Sequence, residues 1–147
     1  MPAQFVEIST EADLDQVLDR SYEEPIILYL HDPYCGLSEM AHAELSQLEQ
    51  RLDVIDVHAH HDLSTLVEQR TGVRHESPQV LLLHDGQAHW SASHRKVKAG
   101  AVIAALGAEN GSTVDGSQSA RRDSLVGSLA SRISRWYRVR NEDASGE

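Results

Sequence analysis

One continuous run of apolar residues constrains the fold of this chain more than any other feature. Residues 25–30 read PIILYL, and the run is bounded by Glu23 and Glu24 on one side and by a polar loop on the other. A run of strand length without alternating polar and apolar side chains is typical of a strand that is buried on both faces. We therefore expect an α/β fold in which helices flank a sheet.

The segments around this run alternate between strand and helix patterns. Strand patterns occupy residues 5–8, 25–30, 54–57, 79–84 and 88–91, and the last two are joined by a turn at Asp85 and Gly86. Helix patterns follow the N-cap signal at residues 9–13 and cover residues 36–51, 62–72 and 98–106. The predicted order is β-α-β-α-β-α-β-β-α, which implies parallel βαβ units and an antiparallel hairpin at one edge.

Composition and cysteine content indicate one ordinary globular domain in a reducing compartment. Of the 147 residues, 40% are hydrophobic and 24% are charged. Cys35 is the single cysteine, so oxidation can link it only to a second molecule. Because we find neither a signal-peptide pattern nor an apolar run long enough to span a bilayer, we expect a cytoplasmic protein.

Charge is distributed unevenly along the chain. Residues 1–106 hold seven Lys and Arg against 17 Asp and Glu, whereas the remainder holds six Arg against six acids. Nucleic acid is an unsuitable partner for such an acidic domain, because phosphate binding needs a clustered basic face.

The segment after residue 106 has a different character from the domain before it. Residues 107–119 are rich in Gly, Ser, Asn and Asp, which predicts a flexible linker. Residues 120–141 place an apolar stripe opposite several arginines, which predicts a basic amphipathic helix, and we expect residues 142–147 to be a disordered tail. We favour docking of this helix on the acidic domain or pairing with its copy in a homodimer over binding to an anionic membrane surface.

Cys35 lies where the buried strand gives way to a helix. A thiol reacts as the thiolate, and the N–H groups and dipole of a helix N-terminus stabilise that anion. Gly36 leaves room for a disulfide to approach, and Ser38 could donate its hydroxyl to the thiolate. The alternative is a small buried hydrophobic Cys, which suits a loop position poorly.

Three segments together resemble a known family. They are CGLS at residues 35–38, GVRHESPQV at residues 72–80 and WSASH at residues 90–94. The chain resembles the thioredoxin superfamily, and within it the monothiol bacilliredoxin (YtxJ-like) family, over residues 4–106. The resemblance implies a thioredoxin-like mixed sheet. It also implies that Pro78 is cis and bends against the cysteine, and that Ser77 offers its backbone N–H and C=O to an incoming thiol or peptide. Without the resemblance, Pro78 could simply begin an edge strand.

The resemblance also implies a function. Proteins similar to this family exchange disulfides with bacillithiol, a low-molecular-weight thiol. The implied catalytic residues are Cys35 and Ser38, the latter in the place of a resolving thiol, with no metal and no cofactor beyond the small thiol as co-substrate. S-thiolated client proteins are the implied partners. The implied substrate-binding residues are Tyr34, Gly36, His75, Ser77 and Pro78.

Two other functions remain open from the sequence alone. One is a [2Fe-2S] carrier similar to monothiol glutaredoxins, and the other is a redox-inactive interaction module that retains the fold. The imidazoles of His58, His60 and His61 invite a metal site, but at a strand end they fit a solvated loop better. His31 is a further candidate for a place near the cysteine.

Overall fold

The computed structural model describes residues 2–111, and within them five strands form one sheet. The elements in chain order are β1 (Gln4–Glu7), α1 (Glu11–Arg20), β2 (Ile26–His31), α2 (Gly36–Leu45), β3 (Arg51–Asp56), α3 (His61–Thr71), β4 (Gln79–His84), β5 (Gln87–Ser93), a 3₁₀ helix (His94–Lys96) and α4 (Ala99–Gly111).

The sheet is mixed and has the strand order β1-β3-β2-β4-β5. Strand β3 pairs in parallel with β1 and β2, whereas β4 is antiparallel to both β2 and β5. The predicted element order, the parallel units and the antiparallel hairpin are therefore confirmed. The chain has a thioredoxin-like fold.

Strand β2 is buried on both faces, as its unbroken apolar run predicts. Its first five residues are buried, and all six residues of β4 beside it are buried as well. Leu28 and Leu30 join the core cluster that includes side chains of α1 and α3. Tyr29 points to the opposite face because side chains alternate along a strand, and there it contacts residues of α2.

Local sequence signals explain where several elements begin and end. Thr10 and Asp13 form a capping box at the start of α1. Gly72 ends α3 with a φ of 71°, the left-handed conformation that favours glycine. Asp85 and Gly86 have φ values of 51° and 75°, as the tight hairpin between β4 and β5 requires.

The prediction that α2 extends over residues 36–51 is wrong. The helix ends at Leu45, where the Ser46 hydroxyl donates to the carbonyl of His42 at 2.7 Å. Residues 51 and 52 instead pair with residues 4 and 5 of β1 at the start of β3. Leu48 and Leu52 are both buried. Their spacing is helical, but Leu48 lies in the turn after α2 and Leu52 lies in β3.

Helix α4 continues through Gly111 and so includes residues 107–111, which the sequence pattern assigns to the linker. A glycine inside a helix costs only about 1 kcal/mol relative to alanine, and neighbouring alanines favour helix. The rest of the predicted linker, the amphipathic helix 120–141 and the tail 142–147 lie outside the described residues. No helix in residues 2–111 is long and apolar enough to cross a membrane.

Candidate functional site

Cys35 is the N-cap residue of α2, with an extended backbone at φ −104° and ψ 123°. Its side chain makes no capping hydrogen bond and is partly exposed, in contrast to a buried structural cysteine. The backbone N–H groups of Gly36 and Leu37 follow in the first turn and have no hydrogen-bond partner among the described residues. These donors are available to an anion at the start of the helix.

The loop before Cys35 is a tight turn built on Asp32. The backbone N–H of Cys35 donates to the carbonyl of Asp32 at 3.1 Å, with Pro33 at the second position of the turn. The Asp32 carboxylate accepts the N–H of Tyr34 at 2.9 Å. This turn holds Cys35 just after the end of β2, where the residue is partly exposed.

Ser38 is fully buried one helical turn after Cys35. Its hydroxyl oxygen accepts the backbone N–H of Asp32 at 3.2 Å, and its own N–H donates to the Cys35 carbonyl at 3.0 Å. Within the described part of the chain, no hydrogen bond joins its hydroxyl to the Cys35 sulfur. In this structure the Ser38 hydroxyl therefore connects the cysteine loop to α2 by a hydrogen bond. The contact with the thiolate that the sequence suggests is not made.

Tyr29 lies beneath this first turn and connects it to His31. The Tyr29 hydroxyl donates to the Ser38 carbonyl at 2.9 Å and lies 2.8 Å from Nδ1 of His31. A hydroxyl has one proton, so when that proton goes to Ser38 the second contact requires a protonated Nδ1 on His31. The imidazole of His42, on α2, packs 5.4 Å from the His31 ring.

Burial shifts the ionisation of this pair in opposite directions. Desolvation, with a smaller contribution from the charge of the Cys35 thiolate, raises the pKa of the Tyr29 phenol. Desolvation, followed by the charge of His42, lowers the pKa of His31, against the smaller opposing effect of Asp56 and Asp32. Both side chains are therefore held in their neutral forms next to the cysteine loop.

The Ser77–Pro78 peptide bond is cis, which confirms the expectation drawn from the family resemblance. Gln79, the next residue, pairs with Leu30, so Pro78 lies beside the end of β2 from which the cysteine loop departs. The Pro78 carbonyl accepts the N–H of His94 at 2.9 Å. The backbone N–H and C=O of Ser77 make no hydrogen bond within residues 2–111, so both are available to a bound chain or thiol.

Tyr34 is prominently exposed, and its contacts extend the site toward the end of β3. It is 79% exposed, and its ring meets the ring of His58 edge-on with centroids 4.5 Å apart. Among the described residues, no group of three or more His, Cys, Asp or Glu is placed to hold a metal ion. The ring contact makes His58 an aromatic neighbour of the cysteine loop.

His75 is positioned by α3. Its backbone N–H donates to the Glu68 carboxylate at 3.0 Å, and its ring lies 6.4 Å from that of His61. Its Nδ1 atom is buried without a hydrogen-bond partner in the part of the chain that the structure describes. Within residues 2–111, no hydrogen bond or ring contact joins His75 to the cysteine loop, and its role in substrate binding stays a prediction.

Sequence reasoning missed the contribution of Tyr29, His42 and Asp32. Tyr29 is hidden in an apolar run, and only the alternation of side chains along β2 assigns it to the face that α2 covers. Asp32 followed by proline is a turn signal that could have identified the loop anchor. The contact between His31 and His42 joins a strand to a helix, and no local sequence pattern predicts it.

Comparison with known proteins agrees with this geometry. A family model for monothiol bacilliredoxin BrxC matches residues 6–102, more than half of the chain. Among solved structures, one described as an oxidoreductase "with a thioredoxin fold" superposes with a TM-score of 0.64 at 21% identity, covering 69% of this chain and 92% of that one.

Two thioredoxins superpose in the same way. A variant thioredoxin from Halobacterium salinarum gives a TM-score of 0.56 at 17% identity, over 71% of this chain and 89% of that one. A thioredoxin from Nicotiana alata gives a TM-score of 0.57 at 16% identity, over 72% of this chain and 92% of that one. Similarity at these identities establishes the fold.

Proposed function

Because the chain belongs to the monothiol bacilliredoxin family, we propose that it removes a low-molecular-weight thiol of the bacillithiol type from mixed disulfides on client proteins. The family and the fold support thiol–disulfide redox function, and the proposal adds the substrate. The observation that carries it is the position of Cys35, which is partly exposed at the start of α2 beside two backbone N–H groups that have no partner within residues 2–111.

The proposed reaction has two exchanges. In the first, the Cys35 thiolate attacks the small-thiol sulfur of the mixed disulfide, so that a Cys35–thiol disulfide forms and the client sulfur leaves as a thiolate that takes a proton from water. In the second, another small thiolate attacks the small-thiol sulfur of the Cys35 adduct. Cys35 is released as a thiolate, and the oxidised dimer of the small thiol leaves.

The second exchange needs an external thiol because the chain cannot complete the cycle internally. Cys35 is the single cysteine in the sequence, and the position one turn later in the helix is Ser38. A serine hydroxyl cannot form a disulfide. We therefore assign the regeneration step to the small thiol, in keeping with a monothiol mechanism.

Backbone groups beside the cis proline supply a means of orienting the substrate. Ser77 has an N–H and a C=O without partners in the described structure, next to the end of β2. An extended segment carrying the disulfide would pair with them as an added strand. Such pairing is independent of side-chain identity, which suits an enzyme that serves several client proteins.

The experiment is incubation of the reduced full chain with a model protein carrying bacillithiol in a mixed disulfide. We expect mass spectrometry to show the bacillithiol adduct on Cys35 and the freed thiol on the model protein. Cys35→Ser should lose both signals while keeping the free energy of unfolding of the wild type. The same model protein carrying glutathione tests the choice of small thiol.

Two results would contradict the proposal. Absence of any adduct on Cys35 supports the redox-inactive interaction module. An iron–sulfur chromophore after anaerobic purification, lost in Cys35→Ser, supports the cluster carrier.

A further inference from the structure

A groove runs between helix α2 and the 3₁₀ helix that follows β5. Its volume is about 400 Å³, within the range of small-molecule sites. Most of its apolar lining comes from α2 and includes Met40, which is 60% exposed. The groove is lined by Leu37, Met40 and Ala41 on the α2 side and by His94, Arg95, Val97 and Lys98 on the other.

Positive charge lies in this groove and directly beside it, in a domain that is otherwise acidic. Arg95, Lys96 and Lys98 are three of the seven Lys and Arg in residues 1–106, against 17 acids. Elsewhere in that region, ion pairs with Asp53, Glu11 and Asp15 engage the guanidinium groups of Arg20, Arg51 and Arg70. Arg74, on the loop after α3, is exposed and lies outside the groove. Of the four cations other than these three arginines, three therefore lie in the groove or directly beside it.

Within the groove, Arg95 is the cation with the most freedom to bind an anion. Lys98 shares its ammonium group with Glu44 at 3.3 Å, and His94 lies 3.9 Å from Glu76. Arg95 is exposed and has no ion pair within residues 2–111. A guanidinium group binds a carboxylate through two parallel N–H donors, which suits it to this task.

The groove reaches the first turn of α2, the helix that Cys35 caps. Leu37 lies in the first turn of α2, directly after Cys35 and Gly36. On the other side of the groove, the backbone N–H of His94 donates a hydrogen bond to the carbonyl of Pro78, the residue that follows the cis peptide bond. A small molecule attached to Cys35 therefore has this groove as a neighbouring cavity.

We propose that the groove binds the carboxylate-bearing part of the small thiol while that thiol is joined to Cys35, with Arg95 as its charge partner. This proposal rests on the proposed function and names the chemical class of its co-substrate as an anionic low-molecular-weight thiol. The exposed Met40 and the side chain of Leu37 provide apolar contact for the part of the molecule between sulfur and carboxylate.

The test compares three small symmetric disulfides of similar size and different charge on the full chain. They are dithiodiglycolate, which is anionic, bis(2-hydroxyethyl) disulfide, which is neutral, and cystamine, which is cationic. With each, the Cys35 thiolate forms a mixed disulfide and one thiolate leaves. The rate of adduct formation is followed by mass spectrometry at an ionic strength of about 0.15 M, where charges more than about 8 Å apart are largely screened, for the wild type, Arg95→Glu, Arg95→Gln and Lys96→Glu.

Lys96→Glu is the matched control, because Lys96 lies next to Arg95 and does not line the groove. Both charge reversals change the net charge of the chain equally. We expect Arg95→Glu to lower the anionic-to-neutral rate ratio by roughly threefold or more, the scale of one exposed charge pair replaced by repulsion. The ratio for Arg95→Gln should lie between those of the wild type and Arg95→Glu. Lys96→Glu should keep the wild-type ratio.

An unchanged ratio in Arg95→Glu, or an equal fall in Lys96→Glu, overturns the groove proposal while adducts still form. Absence of adducts with all three disulfides on the wild-type protein overturns the proposed function itself. The two failures are therefore distinguishable in one data set.

Discussion

The hydroxyl of Tyr29 donates a hydrogen bond of 2.9 Å to the backbone carbonyl of Ser38, and so joins the strand before Cys35 to the helix that follows it. The same hydroxyl lies 2.8 Å from Nδ1 of His31. One buried phenol thereby fixes the first turn of α2 and the end of β2 relative to each other. The position of the cysteine depends on that connection.

Removing the phenol oxygen should weaken the fold at this point. Tyr29→Phe keeps the ring and loses both hydrogen bonds, so we expect the free energy of unfolding to fall by roughly 1–2 kcal/mol. Tyr34→Phe is the matched control, because Tyr34 is 79% exposed and should change stability by less than about 0.5 kcal/mol. Denaturant unfolding measures both, and equal effects of the two variants would contradict the buried role of Tyr29.

The lowered pKa of His31 predicts a pH dependence of stability. The folded state holds His31 neutral, whereas the unfolded chain takes up a proton near the ordinary value of 6.5. The unfolded state binds more protons, so this contribution is present above that value and is lost as pH falls toward the lowered folded value.

The measurement compares wild type with His31→Gln in denaturant unfolding at several pH values from neutral to mildly acidic. We expect the wild type to lose more stability over this range than the variant. Because His42, Asp56 and Asp32 also act on His31, the comparison uses the difference between the two curves. Parallel curves would show that His31 makes no such contribution.

Proline should be tolerated at position 36. Gly36 is the first residue of α2, its N–H has no partner among the described residues, and a Cβ there would meet no atom within 4 Å. Cys35 before it is already extended, as a residue preceding proline prefers.

Gly36→Pro should therefore raise the free energy of unfolding by about 0.4–1 kcal/mol, since it restricts the unfolded chain. Ala41→Pro, in the helix interior, should lower it by about 3 kcal/mol or more. Thermal or denaturant unfolding measures the free energy of unfolding of both variants. A lower value for Gly36→Pro than for the wild type would mean that the N–H of residue 36 has a structural role.

A second thiol one turn into α2 should convert the protein into a dithiol. The Cα atoms of residues three positions apart on a helix are about 5 Å apart, within the range of about 4.4–6.8 Å that a disulfide spans between Cα atoms. We expect oxidised Ser38→Cys to lose two hydrogens in mass spectrometry and both reactive thiols in alkylation. Met40→Cys is the control, because an exposed thiol farther along the helix should not close a bond with Cys35. An oxidised Ser38→Cys that forms only dimers would place the two side chains out of reach.

The buried carboxylate of Asp53 should be a major contributor to stability. It is 1% exposed and accepts from Arg20 at 2.7 Å and from Arg51 at 2.9 Å. Asp53→Asn keeps the shape and removes the charge, so we expect a loss of about 2–4 kcal/mol, somewhat below the usual figure because both arginines are partly exposed. Glu49→Gln, at an exposed position, should change stability by less than about 0.5 kcal/mol. Comparable losses in the two variants would contradict this role.

The strand and helix order could be predicted because it depends on local patterns. The apolar run of β2, the capping signal before α1 and the glycine after α3 each act within a few residues, and each is confirmed. The end of α2 could not be predicted, because residues 48 and 52 continue a helical spacing of leucines. Residue 51 is in a strand because β3 pairs with β1, and this pairing joins residues that are distant in sequence.

The sequence by itself determined that one cysteine lies where a buried strand meets a helix, and that a Ser-Pro segment precedes a later strand. Only the tertiary structure decided that the Tyr29 hydroxyl binds the Ser38 carbonyl, that the Asp32 carbonyl accepts from the Cys35 N–H, and that Arg95 and Met40 line one groove. The physical reason is range. Periodicity and capping report interactions within one turn of helix or one strand, whereas the surroundings of the sulfur are assembled from elements that meet only when the sheet forms.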